Sequence, residues 1–135
     1  MDGCECPEFD IMLANKYGFR STGHTCGSQD ASGAYHNCDG RGSCSSDVHE
    51  NDFDHDYMPG SANGIDTNQE FHVRIEYLTD SENEFIGYSV TLTQGTDRRI
   101  ELVSTGCHYL RKMTNDIKRM AFAISNWDMN HLDWL

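Results

Sequence analysis

Hydrophobic and polar residues alternate near the start of the chain, over residues 8–14. Alternation with a period of two is typical of a half-buried β-strand, whose successive side chains point to opposite faces of a sheet. The apolar face of this predicted strand carries Phe9, Ile11 and Leu13, and its polar face carries Glu8, Asp10 and Met12. Glu8 and Asp10 are close enough there for each carboxylate to influence the proton of the other. The pattern fits a catalytic pair, but the spacing alone favours an ordinary half-buried strand with a solvated acidic face.

Three further strands are predicted in the second half of the chain. Residues 71–77 alternate cleanly, and the apolar positions on one face are Phe71, Val73, Ile75 and Tyr77. Residues 85–93 and 99–103 are also rich in β-forming side chains, and polar turns separate the three segments. The three segments therefore predict an antiparallel meander.

The rest of the chain is less regular. Residues 16–64 are rich in Gly, Ser, Asp and Asn, and they predict a long excursion of loops held by cysteines. Residues 108–118 predict a short helix with Leu110, Met113 and Ile117 on one side. Residues 120–127 predict a buried last strand. Together these elements predict a mainly β fold of the sandwich type.

Charge and cysteine content limit the possible partners and compartments. The formal net charge is −12 over 135 residues, so nucleic acid and anionic membrane surfaces would repel the chain. No stretch is long and apolar enough to predict a membrane span. Six cysteines favour an oxidising compartment. The first residues lack the basic start and apolar run of a signal peptide, which fits a fragment whose natural start lies upstream.

Metal-binding patterns are weak. Residues 52–56 read Asp-Phe-Asp-His-Asp, but a calcium-binding EF-hand loop would need Gly where Tyr57 stands and Glu where Asn63 stands. The spacing of Cys4 and Cys6 does not match a zinc knuckle. We therefore expect no metal site and no cofactor.

Four ordered stretches resemble glycoside hydrolase family 7, the cellobiohydrolases and endo-β-1,4-glucanases. Residues 8–15 resemble the family signature Glu-x-Asp-x-x-Glu-Ala-Asn, and residues 22–26 resemble its Thr-x-His-x-Cys. Residues 59–73 resemble its Pro-Gly-Ser…Leu-Asp-Thr…Thr-Val stretch, and residues 120–135 resemble its Met-Ser-x-Trp-Asp…Leu-Trp-Leu stretch. A family catalytic domain is several hundred residues long, so residues 1–135 are expected to form a single, partial domain. The resemblance implies a partial concanavalin-like jelly-roll β-sandwich.

The resemblance implies roles for five residues. Glu8 matches the catalytic nucleophile, and Asp10 matches the carboxylate that orients the nucleophile and shares its proton. His24 matches a histidine in the substrate cleft, although such a residue also fits a surface loop. Trp127 and Trp134 match tryptophans that stack on glucose rings, although two tryptophans near a strand end are also common in protein cores.

One position departs from the family pattern. The family's acid/base is the second Glu of the signature, and that position is Leu13 here. On a regular strand, a residue five positions from Glu8 faces the opposite side, so the family must bend or bulge the strand at this point. Leu13 has no proton to donate, and Glu5, which lies between two cysteines before the strand, is a poor substitute.

The resemblance also implies disulfides Cys26–Cys38 and Cys44–Cys107. The family equivalents of Cys4 and Cys6 bond to cysteines further upstream, which this chain does not contain. Disulfides of this kind, and the secretion of the family's members, imply that this protein is secreted.

The sequence therefore predicts a secreted protein that acts on cellulose or a related β-1,4-glucan by hydrolysis with retention of configuration. Leu13 makes catalysis by this chain doubtful. Two alternatives remain open: a catalytically silent glucan-binding or cell-wall structural protein, and a gene fragment without function.

Overall fold

The computed structural model describes residues 6–49 and 57–126, which form two antiparallel β-sheets and a short parallel strand pair. The first sheet has the order β1-β2-β3, the second has the order β6-β7-β8, and β4 pairs with β5. The strands are β1 (Glu8–Ala14), β2 (Gly18–His24), β3 (Cys44–His49), β4 (Tyr57–Met58), β5 (Ile65–Asp66), β6 (His72–Thr79), β7 (Phe85–Gln94) and β8 (Arg98–Ser104). None of the helices in the described ranges is long and apolar enough to cross a membrane.

The hydrophobic core lies between the inner faces of the two sheets. The Phe9 ring, from β1, packs edge-on against Tyr77 and Tyr88 of the second sheet, with centroid distances of 5.2 and 5.0 Å. The Tyr88 hydroxyl donates across the interface to the carbonyl oxygens of Ser21 and Cys44. Aromatic rings thus fill the space, and a buried hydroxyl finds acceptors on the opposite backbone, as buried polar groups require.

The strands that show clear alternation in the sequence are confirmed. The predicted segments 8–14, 71–77, 85–93 and 99–103 correspond to β1, β6, β7 and β8, and the last three form the predicted antiparallel meander. Strand β7 lies in the middle of its sheet and is buried on both faces along most of its length. The inner face of β6 is half-buried, because β6 is an edge strand.

The prediction of loops throughout residues 16–64 is wrong, because β2, β3 and β4 lie within this range. The inner faces of β2 and β3 carry the small residues Ser21, Gly23 and Ser46 between the buried Phe19 and Val48, so the sequence shows no sustained apolar alternation. Small residues are used there because large ones approach closely: a Cβ on Gly23 would lie 2.8 Å from the Leu110 side chain. These strands are therefore buried, but their sequences lack the alternating hydrophobic pattern that would predict it.

The predicted buried last strand, residues 120–127, is also wrong for the residues that the structure describes. Residues 120–126 form no strand, and the side chains of Phe122 and Ile124 are 77% and 88% exposed. The predicted helix at 108–118 is present as two short 3₁₀ helices, His108–Met113 and Ile117–Arg119. Its predicted apolar side packs inward, since Leu110 and Met113 are fully buried.

Both predicted disulfides are present. Cys26–Cys38 closes the loop that follows β2, and Cys44–Cys107 ties the start of β3 to the segment after β8. Cys6 is an exposed free cysteine, and Cys4 lies outside the described residues. Disulfides of this kind are typical of oxidising compartments.

Candidate functional site

A β-bulge in β1 sets the side chains of the candidate site. Asp10 pairs with Thr22 of β2, but the next paired residue, Leu13, is opposite Arg20, so β1 advances three residues while β2 advances two. Residues directly opposite in an antiparallel pair share a face, and Arg20 and Thr22 are two residues apart on the same face. Leu13 is therefore returned to the face that carries Asp10. On an unbulged strand, Leu13 would point to the other face.

Glu8, Asp10 and His24 meet on this outer face of the first sheet. Glu8 is directly opposite His24 in the β1–β2 register. The His24 Nε2 lies 3.0 Å from Asp10 Oδ2, and its Nδ1 lies 2.7 Å from the backbone oxygen of Asp39. The side chains of His24 and Asp10 are each only 17% exposed, whereas Glu8 is the most exposed of the three, although its neighbours cover it in part.

The two contacts of the His24 ring favour its charged form. A backbone carbonyl can only accept, so Nδ1 must carry a hydrogen. An ionised Asp10 carboxylate can also only accept, so Nε2 must carry a hydrogen as well. His24 is then an imidazolium with a hydrogen bond on each side. The hydrogen bond to Asp10 raises the pKa of His24, and the Asp39 carbonyl and the charges of Asp10 and Glu8 add to the rise, while partial burial opposes it.

The pKa of Glu8 is also raised. Partial burial is the largest cause, followed by the charge of Asp10 and a side-chain hydrogen bond with Asp10, while His24 works in the opposite direction. Two adjacent carboxylates resist ionising together, and a proton held between them relieves the repulsion. The cluster therefore keeps a proton on Glu8 to a higher pH than an isolated glutamate would.

A tight loop after the first disulfide covers the edge of the cluster. The Asp39 carboxylate accepts hydrogen bonds from the amides of Arg41, Gly42 and Ser43 and from the Ser43 hydroxyl. These hydrogen bonds outweigh the partial burial that works against them and lower the pKa of Asp39 to about 2. Gly42 has a φ of +71°, and a Cβ there would lie 2.2 Å from Thr22 Oγ1. Only glycine lets this loop lie so close to β2.

Two residues that shape the site, Asp39 and Gly42, are absent from the sequence-based prediction. The segment Asp-Gly-Arg-Gly-Ser contains a recognisable signal for a turn stabilised by an Asp side chain. No feature of that pattern indicates which side chain the turn packs against. The contact with His24 depends on the β2–β3 pairing, and that pairing was not predicted.

The other predicted site residues fall into two groups. Leu13 lies on the face of the cluster, so the position that matches the family's acid/base is near the carboxylates and holds no titratable group. Trp127 and Trp134 lie outside the described residues, as do Glu5 and the acidic loop at 52–56. Among residues 6–49 and 57–126, no group of three His, Cys, Asp or Glu side chains is arranged to hold a metal ion.

The cluster combines a solvent-facing carboxyl group, a hydrogen-bonded carboxylate and a cationic imidazole. An exposed carboxylate held by such neighbours is suited to attack an electrophilic carbon or to exchange a proton. Comparisons of the chain with protein-family models, with curated proteins and with solved structures find no match.

Proposed function

We propose that the outer face of the first sheet is a glycan-directed site of the retaining glycoside hydrolase type, acting on cellulose or related β-1,4-glucans in a secreted protein. A partial concanavalin-like jelly roll belongs to the same proposal. The observation that carries it is the bulge in β1, through which position 13 shares a face with Glu8 and Asp10 beside His24. That is the constellation that the resemblance in residues 8–15 and 22–26 calls for.

In this proposal, Glu8 is the nucleophile. A retaining glycosidase attacks the anomeric carbon with one carboxylate, and a second carboxyl group about 5–5.5 Å away protonates the leaving oxygen. Glu8 is open to solvent and so to a sugar ring lying across the face. Asp10 accepts a hydrogen bond from protonated Glu8 when the site is empty and orients the Glu8 carboxylate for attack once the proton has left, and His24 balances the charge of the pair.

Leu13 removes the proton donor from this scheme. Without a general acid the departing sugar leaves as an unprotonated alkoxide, and a general acid is worth roughly 10²–10⁴-fold in rate. Hydrolysis of unactivated glucan is therefore expected to be no more than a trace. A substrate whose leaving group needs no proton bypasses the missing step.

A second candidate is a glucan-binding or cell-wall protein without catalysis. The apolar side chain at position 13 is the observation that favours it, since a binding face needs no acid. The two candidates differ in whether Glu8 forms a bond to the sugar.

The test uses 2,4-dinitrophenyl cellobioside, whose phenolate leaves unprotonated. Under the proposal, the chain releases dinitrophenolate, and Glu8→Gln abolishes the release. The variant Leu13→Glu restores cleavage of unactivated β-1,4-glucan by at least about 10²-fold. The matched control is Val103→Glu, which adds a carboxylate to an exposed position on the second sheet and leaves the activity at trace level.

Three outcomes contradict the proposal in different ways. Equal cleavage of unactivated glucan by the original chain and by Leu13→Glu means that the acid is a different residue. Absence of dinitrophenolate release, together with retained binding to insoluble cellulose that Trp127→Ala weakens, favours the second candidate. If the chain shows neither dinitrophenolate release nor binding to cellulose, both candidate functions are contradicted.

A further inference from the structure

We propose that Asp39 is a positioning residue, whose loop keeps His24 doubly protonated and aimed at Asp10. The loop does so through its backbone: the Asp39 carbonyl oxygen accepts from His24 Nδ1 at 2.7 Å. The proposal concerns the proton on His24 and holds whatever the substrate is. Only its consequence for the reaction of Glu8 rests on the proposed function.

The loop is built to hold that carbonyl still. The Asp39 carboxylate accepts hydrogen bonds from the backbone amides of residues 41–43 and from the Ser43 hydroxyl, with donor–acceptor distances from 2.8 to 3.1 Å. The Asp39 amide donates to the Thr25 carbonyl at 2.8 Å, next to the Cys26–Cys38 disulfide. The loop is therefore attached to the end of β2 at two points and cannot turn its carbonyl away from His24 without breaking several hydrogen bonds.

The Asp39 carbonyl affects the charge of His24 because the Asp10 carboxylate already occupies the other ring nitrogen, Nε2. If Nδ1 were free of an acceptor, a neutral imidazole with its hydrogen on Nε2 would still satisfy Asp10. The Asp39 carbonyl makes that neutral form unfavourable, since an unprotonated Nδ1 would then face an oxygen lone pair. Asp10 and Glu8 face the ring from β1, and the charges of both favour the protonated ring, so the Asp39 carbonyl acts together with them.

The Asp39 loop also touches the ring directly. A Cβ on Gly42 would lie 3.1 Å from His24 Cε1 and 2.2 Å from Thr22 Oγ1. Gly42→Ala is therefore expected to move the loop away from β2, together with the Asp39 carbonyl, because the Thr22 hydroxyl is held by the Cys44 carbonyl and a φ of +71° disfavours a Cβ. A Cβ on Gly40, in the same loop, would meet no atom within 4 Å, so Gly40→Ala is a matched control.

The test follows the ¹⁵N resonances of the His24 ring by NMR across a pH titration. In the original chain and in Gly40→Ala, His24 keeps both protons to a pH above the ordinary imidazole pKa of about 6.5. In Gly42→Ala, His24 titrates closer to that ordinary value, and its neutral form carries the hydrogen on Nε2. A second pair avoids dependence on one glycine: Asp39→Ala gives the same change, and Asp30→Ala does not. Asp30 binds Ser32, Ala34 and His36 in a neighbouring turn.

The proposal is overturned if His24 titrates in the same way in Asp39→Ala and Gly42→Ala as in the original chain, with both variants folded by their amide spectra. It is also overturned if Asp30→Ala moves the His24 titration as much as Asp39→Ala does. Should Gly42→Ala fail to fold, Ser43→Ala, which removes one of the four hydrogen bonds to Asp39, replaces it and is expected to give a smaller change of the same sign. None of these readouts involves a glucan, so a failure of the proposed function leaves them intact.

Discussion

The two disulfides close loops of very different length, and removing each should lower stability by a different amount. Cys44 and Cys107 are 63 residues apart, whereas Cys26 and Cys38 are 12 residues apart. Loss of loop-closure entropy in the unfolded chain predicts a stabilisation of about 4 kcal/mol for the longer loop and about 3 kcal/mol for the shorter one. Cys44 and Cys26 are both buried, so truncation leaves a small cavity in either variant, and the expected difference comes from the length of the loop.

The assay is urea unfolding of two double variants, Cys44→Ala/Cys107→Ala and Cys26→Ala/Cys38→Ala, against the oxidised chain. A small domain has roughly 5–15 kcal/mol of stability, so the first variant is expected to lose a large fraction of it. The second variant should stay folded with a smaller loss and should also show a displaced Asp39 loop. An equal or larger loss in the second variant would refute the entropy argument, and would mean that the local contacts of the short loop decide stability.

Three further predictions follow from single side chains. The raised pKa of His24 means that its stabilising contribution is complete below about pH 6.5 and is lost as the pH rises through the raised folded value. Unfolding free energies between pH 5.5 and 9 should show this decline, and His24→Gln should flatten it; a decline of equal slope in the variant would assign it elsewhere. Tyr88→Phe removes a buried hydroxyl that donates to two carbonyls and should lower the unfolding free energy by roughly 1–3 kcal/mol, whereas Tyr17→Phe, at an exposed ring, should have little effect. Gly87→Ala would bring a Cβ within 2.4 Å of the Ser104 carbonyl oxygen, so circular dichroism should show that it destabilises the second sheet strongly; a fold of unchanged stability would mean that β8 shifts easily.

The sequence predicted the strands whose inner faces are apolar. Strands β1, β6, β7 and β8 alternate large apolar residues with polar ones, and period-two alternation is the most direct signal of a half-buried strand. Strands β2 and β3 were missed because their buried positions include Ser21, Gly23 and Ser46. These positions need small side chains because Leu110 and aromatic rings pack closely against them. This fit depends on the packing of the two sheets, which the local sequence does not specify.

The segment at 120–126 gave the opposite error. Its apolar residues, among them Phe122 and Ile124, suggest a strand, but a strand also needs a partner with a free edge, and no strand of the described residues pairs with it. Local propensity alone therefore predicted an element that pairing did not supply.

The candidate site was predicted in part. Glu8 and Asp10 were neighbours by spacing alone, and His24 came from a short resemblance. The return of Leu13 to the same face depends on the one-residue bulge, which the hydrophobic pattern conceals, because the regular alternation assigned Leu13 to the apolar face. The Asp39 loop could not be connected to His24 until the register of β2 and β3 was known.

The small polar residues lining the first sheet have a consequence for the order of folding. Strands β6, β7 and β8 are adjacent in sequence, so their meander forms through local contacts and is expected to form early. The first sheet contributes few large apolar side chains and needs the completed meander as a template. Docking of the two sheets holds Cys44 and Cys107 at bonding distance, so we expect oxidation of this pair to follow docking and to preserve it. Without the first sheet, Val90, Leu92 and Leu102 would lose their cover, so the isolated meander is expected to associate more readily than the docked, oxidised chain.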